Sequence, residues 1–191
     1  MPDADLAGPM VVEGEWFDTE RRQRALMIYP GRNKADIDGE FIVFLIGAQM
    51  HKLWNVRDWW PVARAMQAMQ KELGQNPEIG CLHIDNYGIL KPISVQYWRS
   101  FEHLERFARS KDHTHLPAWR MFYRAFADAE DVGIWHETYR VGPGQFEAIY
   151  GNTTRFGLAA AGDLVPLHDD STSAGRLTGD QDNAAPSPVE F

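Results

Sequence analysis

The chain has 191 residues, 44% of them hydrophobic and 12% aromatic, and a formal net charge of -8. That composition supports the core of one domain with terminal extensions. It argues against nucleic-acid binding, because the only basic cluster, Arg21-Arg22-Gln23-Arg24, is too short to neutralise a phosphate backbone. The longest apolar stretch, Phe41 to Ala48, is too short to span a bilayer, and no leader pattern opens the chain. One cysteine, Cys81, allows no internal disulfide and fits a reducing, cytoplasmic setting.

Residues 1–38 mix Pro and Gly with short apolar pieces and read as an N-terminal arm holding at most one short strand. Phe41-Ile42-Val43-Phe44-Leu45-Ile46 is a continuous run of the kind buried on both faces of a sheet. Asp58 then offers an N-cap, and Trp59, Val62, Met66, Met69 and Leu73 form one apolar helical stripe that Gly74 and Pro77 end. A strand from Gly80 to Tyr87, a turn at Gly88 and a strand from Pro92 to Trp98 make a hairpin.

Ser100 caps a short helix carrying Phe101, Leu104 and Phe107, and Thr114 caps a longer one through Ala129. Val132 to Val141 is the last core strand, closed by the turn Gly142-Pro143-Gly144. From about Ala160 onward the Gly, Asp, Ser, Thr and Pro content predicts a mobile tail. The core therefore reads β-α-β-β-α-β, an α+β ferredoxin-like order. Its helices cover one face of the sheet, and the other is covered by a second copy or by the chain's own terminal arms.

Several blocks add to this pattern. Phe41 to Gly47, Lys52-Leu53-Trp54, Val95 to Leu104, His115 to Arg120, Gly133 to Tyr139 and Glu147 to Asn152 together resemble a monooxygenase-like family, over residues 39–157. That family is similar to the dimeric α/β-barrel superfamily, which includes antibiotic-biosynthesis and haem-degrading monooxygenases, chlorite dismutases, dye-decolorising peroxidases and haem-containing aldoxime dehydratases. The resemblance implies a ferredoxin-like domain at 39–157 that forms a homodimeric barrel, with 158–191 as a flexible tail. It also implies a monooxygenase-like enzyme, haem-dependent in some members, acting on a small hydrophobic or aromatic molecule. A haem lyase of the aldoxime dehydratase type and a non-catalytic dimer that binds hydrophobic ligands are the alternatives.

The candidate site residues follow from both readings. His115 falls in the first turn of the second long helix, with Trp119, Phe122 and Phe126 on its stripe. The helix N-terminus disfavours its protonation, so the neutral ring either ligates iron or packs at the start of the helix. Trp119 and Arg99 would lie beside a bound haem, with His115 as the metal ligand. His136 sits mid-strand on the face of Ile134 and Thr138, as a catalytic base or a structural histidine, while Glu137 points the other way. Arg120 and Tyr123 would orient substrate; Arg99 and Arg120 serve equally as ion pairs. Trp59, Trp98, Trp119 and Trp135 converge on a flat cavity, into which Tyr97 can also place a hydroxyl. Cys81, His83 and Asp85 alternate on one strand face at a spacing that can hold a metal, with no second cluster in support.

Overall fold

The computed structural model describes residues 27–52, 54, 56–89, 91–109 and 132–167. It is an α+β fold built on two antiparallel sheets. The elements run β1 (Tyr29–Asp36), β2 (Phe41–Met50), α1 (Val56–Gln75), a 3-10 turn (Pro77–Ile79), β3 (Cys81–Tyr87), β4 (Ile93–Trp98), α2 (Phe101–Arg109), β5 (Val132–Val141), β6 (Ile149–Thr153), α3 (Leu158–Ala161) and β7 (Asp163–Pro166).

The apolar run at Phe41 becomes the central strand of the larger sheet, whose order is β3-β4-β2-β5. Burial on both faces is why that run lacks alternation: Phe41 and Ile42 are both buried, on opposite faces. β2 continues past Ile46 to Met50 because β5 pairs with it along the whole length, from Phe41 opposite Val141 to Met50 opposite Val132. All pairs in this sheet are antiparallel.

α1 starts at Val56, so Asp58 lies inside its first turn instead of capping it. Its far end is fastened by Asn76, whose Nδ2 donates to Glu72 O at 2.7 Å. Gly80, expected to open the next strand, instead takes a left-handed conformation (φ +96°) that turns the chain into β3. Gly88 (φ +75°) supplies the hairpin turn. Ser100 caps α2 as expected, its Oγ accepting the His103 N–H at 3.4 Å and lying 2.9 Å from that ring's Nδ1. Of the expected stripe on α2, Leu104 and Phe107 are buried, whereas Phe101 lies at the surface beneath the Arg140 guanidinium, 5.7 Å from its ring centre.

Two apolar cores result. Ile42, Trp98, Leu73, Leu104 and Phe107 fill the space between the larger sheet and its helices, with Phe44, Met69, Cys81 and Ile84 around them. The opposite face of the sheet packs Phe41, Val43, Tyr97 and Val141 against Ala35, Tyr150, Leu158 and Ala159.

That second core departs from the sequence reading. β1 lies within residues 1–38, and it forms the middle of a three-stranded sheet, β6-β1-β7. β7 and α3 lie within 158–191, the span expected to be a tail. The sequence allowed one short strand in this arm without placing it, because the buried positions of β1 are Asn33 and Ala35, neither of which raises a hydrophobic signal. Asn33 is satisfied locally, donating to Pro30 O at 3.2 Å and Gly31 O at 3.4 Å. The chain's own ends thus cover part of the sheet face that the pattern left open. The longer helix expected from Thr114 to Ala129 lies outside the described residues.

Candidate functional site

Between α1 and the larger sheet lies a cavity of about 350 Å³. Ile46, Met50, Trp59, Met66, Val132 and Ile134 give it apolar walls. One end is polar, formed by Gln70 on α1, Asn86 on β3 and Ser94 on β4. Asn86 and Ser94 face each other across the hairpin register. The Gln70 and Asn86 amides bond reciprocally, at 2.8 and 3.0 Å, and Gln70 Nε2 also lies 3.3 Å from Ser94 Oγ. An apolar chamber with a few convergent polar groups is the usual form of a small-molecule site. Among the described residues that line it there is no Asp, Glu, Lys, Arg or His.

The other face of the sheet carries a second polar cluster. A bulge at Leu82 puts Cys81 opposite Trp98 but His83 opposite Tyr97, its immediate neighbour on β4. The expected Cys81-His83-Asp85 face is therefore broken. Cys81 packs into the helix-side core, where burial pushes its thiol up to about 12. His83 and Asp85 point the other way, with His83 Nε2 3.0 Å from Asp85 Oδ1 yet making no aligned hydrogen bond. Among the described residues no group of three or more His, Cys, Asp or Glu is placed to hold a metal ion.

Asp85 ties the two sheets together, accepting the Gly157 N–H at 2.6 Å. Gly157 has φ +58°, and a Cβ there would sit 3.2 Å from the Tyr150 hydroxyl and 3.5 Å from that of Tyr97. Burial first, then the neighbouring Tyr150 and Asp85, push the Tyr97 phenol up to about 12. Burial also raises Tyr150, whose hydroxyl accepts the Ala159 N–H at 3.1 Å. These phenols are fastened parts of a joint between sheets.

The sequence candidates divide accordingly. His136 is exposed on β5, its ring 5.7 Å from that of Phe44 and one same-face position beyond Ile134, outside the cavity lining. Glu137 does point away from it, bonding the Tyr139 hydroxyl at 2.5 Å. Arg99 is exposed just past β4, with its backbone N–H held by Gly80 O at 2.9 Å. His115, Trp119, Arg120 and Tyr123 lie outside the described residues.

Of the four tryptophans expected to converge, the three within the described residues do not. Trp59 lines the cavity and Trp98 is fully buried beside Phe107, while Trp135 lies on the opposite face, across Gly47, with ring atoms 2.7 Å from where a Cβ would stand. Tyr97 is likewise on that opposite face. The residues missed were Gln70, Asn86 and Ser94. Neutral amides and a serine on three separate elements carry no spacing signature, and only the hairpin register brings Asn86 to Ser94.

Residues 41–158, more than half of the chain, match the model of the monooxygenase af470-like family. The chain belongs to that family. A conserved protein of unknown function from Bacteroides thetaiotaomicron, described as a possible oxidoreductase, is a solved structure similar to it at 10% identity. That likeness covers 55% of this chain and 100% of the other, with a TM-score of 0.37. No curated protein matches the chain. The span matched by the af470-like family runs from the first residue of β2 to the first of α3. Every described residue of the cavity lies inside it, whereas β1 and β7 lie outside. No described helix is long and apolar enough to cross a membrane.

Proposed function

We propose that this af470-like protein is a monooxygenase-like oxidoreductase whose substrate, a small neutral aromatic molecule, binds in the cavity between α1 and the larger sheet. The observation that carries this reading is the cavity's form: an apolar chamber of about 350 Å³ with one polar end, within the span matched by the family. Trp59, Met50 and Met66 would hold the ring, and polarisable thioethers pack well against aromatic edges. The Ser94 hydroxyl would orient a phenolic or carbonyl oxygen.

The chemistry of this class balances without an external reductant when a phenol becomes a quinone. One atom of dioxygen enters the ring, the other leaves as water, and the substrate supplies the electrons. The protein's part is to bind, orient and exclude bulk water. Haem, expected from the resemblance, finds no axial ligand in the described walls. They contain no His, Cys or Tyr, and their thioethers from Met50 and Met66 usually serve beside a histidine. The expected ligand, His115, lies outside the described residues.

Oxygen uptake with 1-naphthol as the probe tests the reading. Uptake should depend on the protein and fall at least about tenfold in Ala63→Trp, because the added ring occupies the chamber and overpacking excludes the ligand. Binding of 1-naphthol without oxygen uptake would overturn the enzyme reading and leave a hydrophobic-ligand-binding protein.

The strand order β3-β4-β2-β5 further supports a ferredoxin-like unit, with both crossovers spanning a neighbouring strand. We propose that two such units pair across the part of the sheet that the second core leaves uncovered, around Leu45, Val95 and Trp135. Light scattering at micromolar concentration should give twice the chain mass, and a monomer there would sink the paired barrel.

A further inference from the structure

Two hollows meet at one pair of side chains. One is the cavity beneath α1; the other is a cleft of about 310 Å³ along the outer edge of β3, where Leu73, Pro77, Leu82 and His83 form part of the wall. Gln70 and Asn86 belong to the walls of both. What stands between cleft and chamber there includes two amides, each donating to the other, with Ser94 Oγ behind them as a second acceptor for Gln70. Side chains of this kind part by rotamer changes, which are fast, without disturbing the sheet.

We infer that the Gln70–Asn86 pair is a door between the cleft and the cavity, and that the molecules it admits are small and uncharged. The inference rests on the reading that the cavity holds the substrate. Asn86 is exposed, so water competes for its hydrogen bonds and the pair is worth little net free energy. Such a door opens readily, and its reciprocal geometry closes it again. Ser94, only 4% exposed, stays fixed and gives Gln70 a place to return to.

The neutrality follows from the walls. Among the described residues, neither chamber nor cleft is lined by Asp, Glu, Lys or Arg. The cleft's described titratable residues are His83, whose Nε2 is buried against Asp85, and Cys81, whose thiol is held protonated by burial. A charged molecule passing inward would lose its hydration with no counter-charge to replace it.

Stopped-flow quenching of Trp59 fluorescence in the full chain tests the door, with Trp59→Phe identifying the part of the signal that comes from the chamber. Nitrobenzene should quench saturably, and 4-nitrobenzoate at the same concentration should not. Gln70→Ala and Asn86→Ala should each speed both uptake and release roughly five- to tenfold, the factor expected from losing the small net worth of the exposed reciprocal pair, with the dissociation constant little changed. Gln70→Asn keeps an amide but is too short to reach Asn86, so it should accelerate exchange in the same way. Circular dichroism shows which variants are folded.

Unchanged rates in the folded variants would overturn the door. A changed dissociation constant with unchanged rates would overturn it as well, making the amides ligand contacts. Equal quenching by 4-nitrobenzoate would overturn the selection for neutral molecules. Quenching absent from the wild type and every variant would remove the cavity reading itself, and the door with it.

Discussion

Trp98→Ala should lower the free energy of unfolding by about 3–5 kcal/mol, the range for emptying a fully buried aromatic site. Trp98 is 0% exposed, stands between Ile42 and Cys81 in the sheet, and packs on Phe107 with ring centres 5.5 Å apart. Its indole N–H also donates to Gln96 Oε1 at 3.0 Å. Gln96 is 1% exposed and its Nε2 has no partner among the described residues, so the truncation leaves the whole buried amide unsatisfied. Urea denaturation reads the loss as a lower midpoint at constant slope. Trp98→Phe, which keeps a ring against Phe107, should lose less. A Trp98→Ala midpoint equal to that of the wild type would mean that this core does not hold the domain together.

Gly162→Ala should destabilise the second sheet by about 1–3 kcal/mol, as overpacking does when the obstacle is backbone. Gly162 has φ -116°, outside the left-handed region, and the expected cost comes from crowding at its Cβ position. The new Cβ would run into the carbonyl oxygen of Asp36 and stand 3.1 Å from the Ile37 Cβ. Asp36 is the residue paired with Asp163 at the end of the β1–β7 ladder. Moving it also disturbs Arg155, which donates to Ala159 O at 2.9 Å and to Gly162 O. Hydrogen exchange should accelerate through α3 and β7 while the central β2–β5 ladder stays protected. Gly151→Ala is the control: nothing lies within 4 Å of its Cβ position, so it should stay within about 0.5 kcal/mol of the wild type. Equal behaviour of the two variants would rule out the crowding at Gly162.

Much of the larger sheet was legible because its residues declare themselves. Six apolar residues in a row at Phe41 require a central strand, and the helical stripe ending at Leu73 requires a core beneath it. The second sheet was hidden for the opposite reason. Its inward positions on β1 are an asparagine and an alanine, and its three strands are far apart in the chain, so their pairing leaves no local trace. The site was the least legible part. Histidines and arginines attract attention by their chemistry, yet His136 and Arg99 are exposed, while the cavity is built from methionines, small residues and neutral amides. Only the fold shows that Gln70 and Asn86 meet.

The bulge at Leu82 has a wider bearing. Side chains on a strand alternate with a strict two-beat rhythm, and one added residue is a phase slip in it. By that slip one short strand serves two interiors, sending a thiol to the helix-side core and an imidazole and a carboxylate to the joint between sheets. Were the strand regular with Leu82 in place, Cys81 and His83 would share one face and one of the two interiors would lose its side chain. The slip absorbs the extra residue and leaves the pair as far apart as direct neighbours would be.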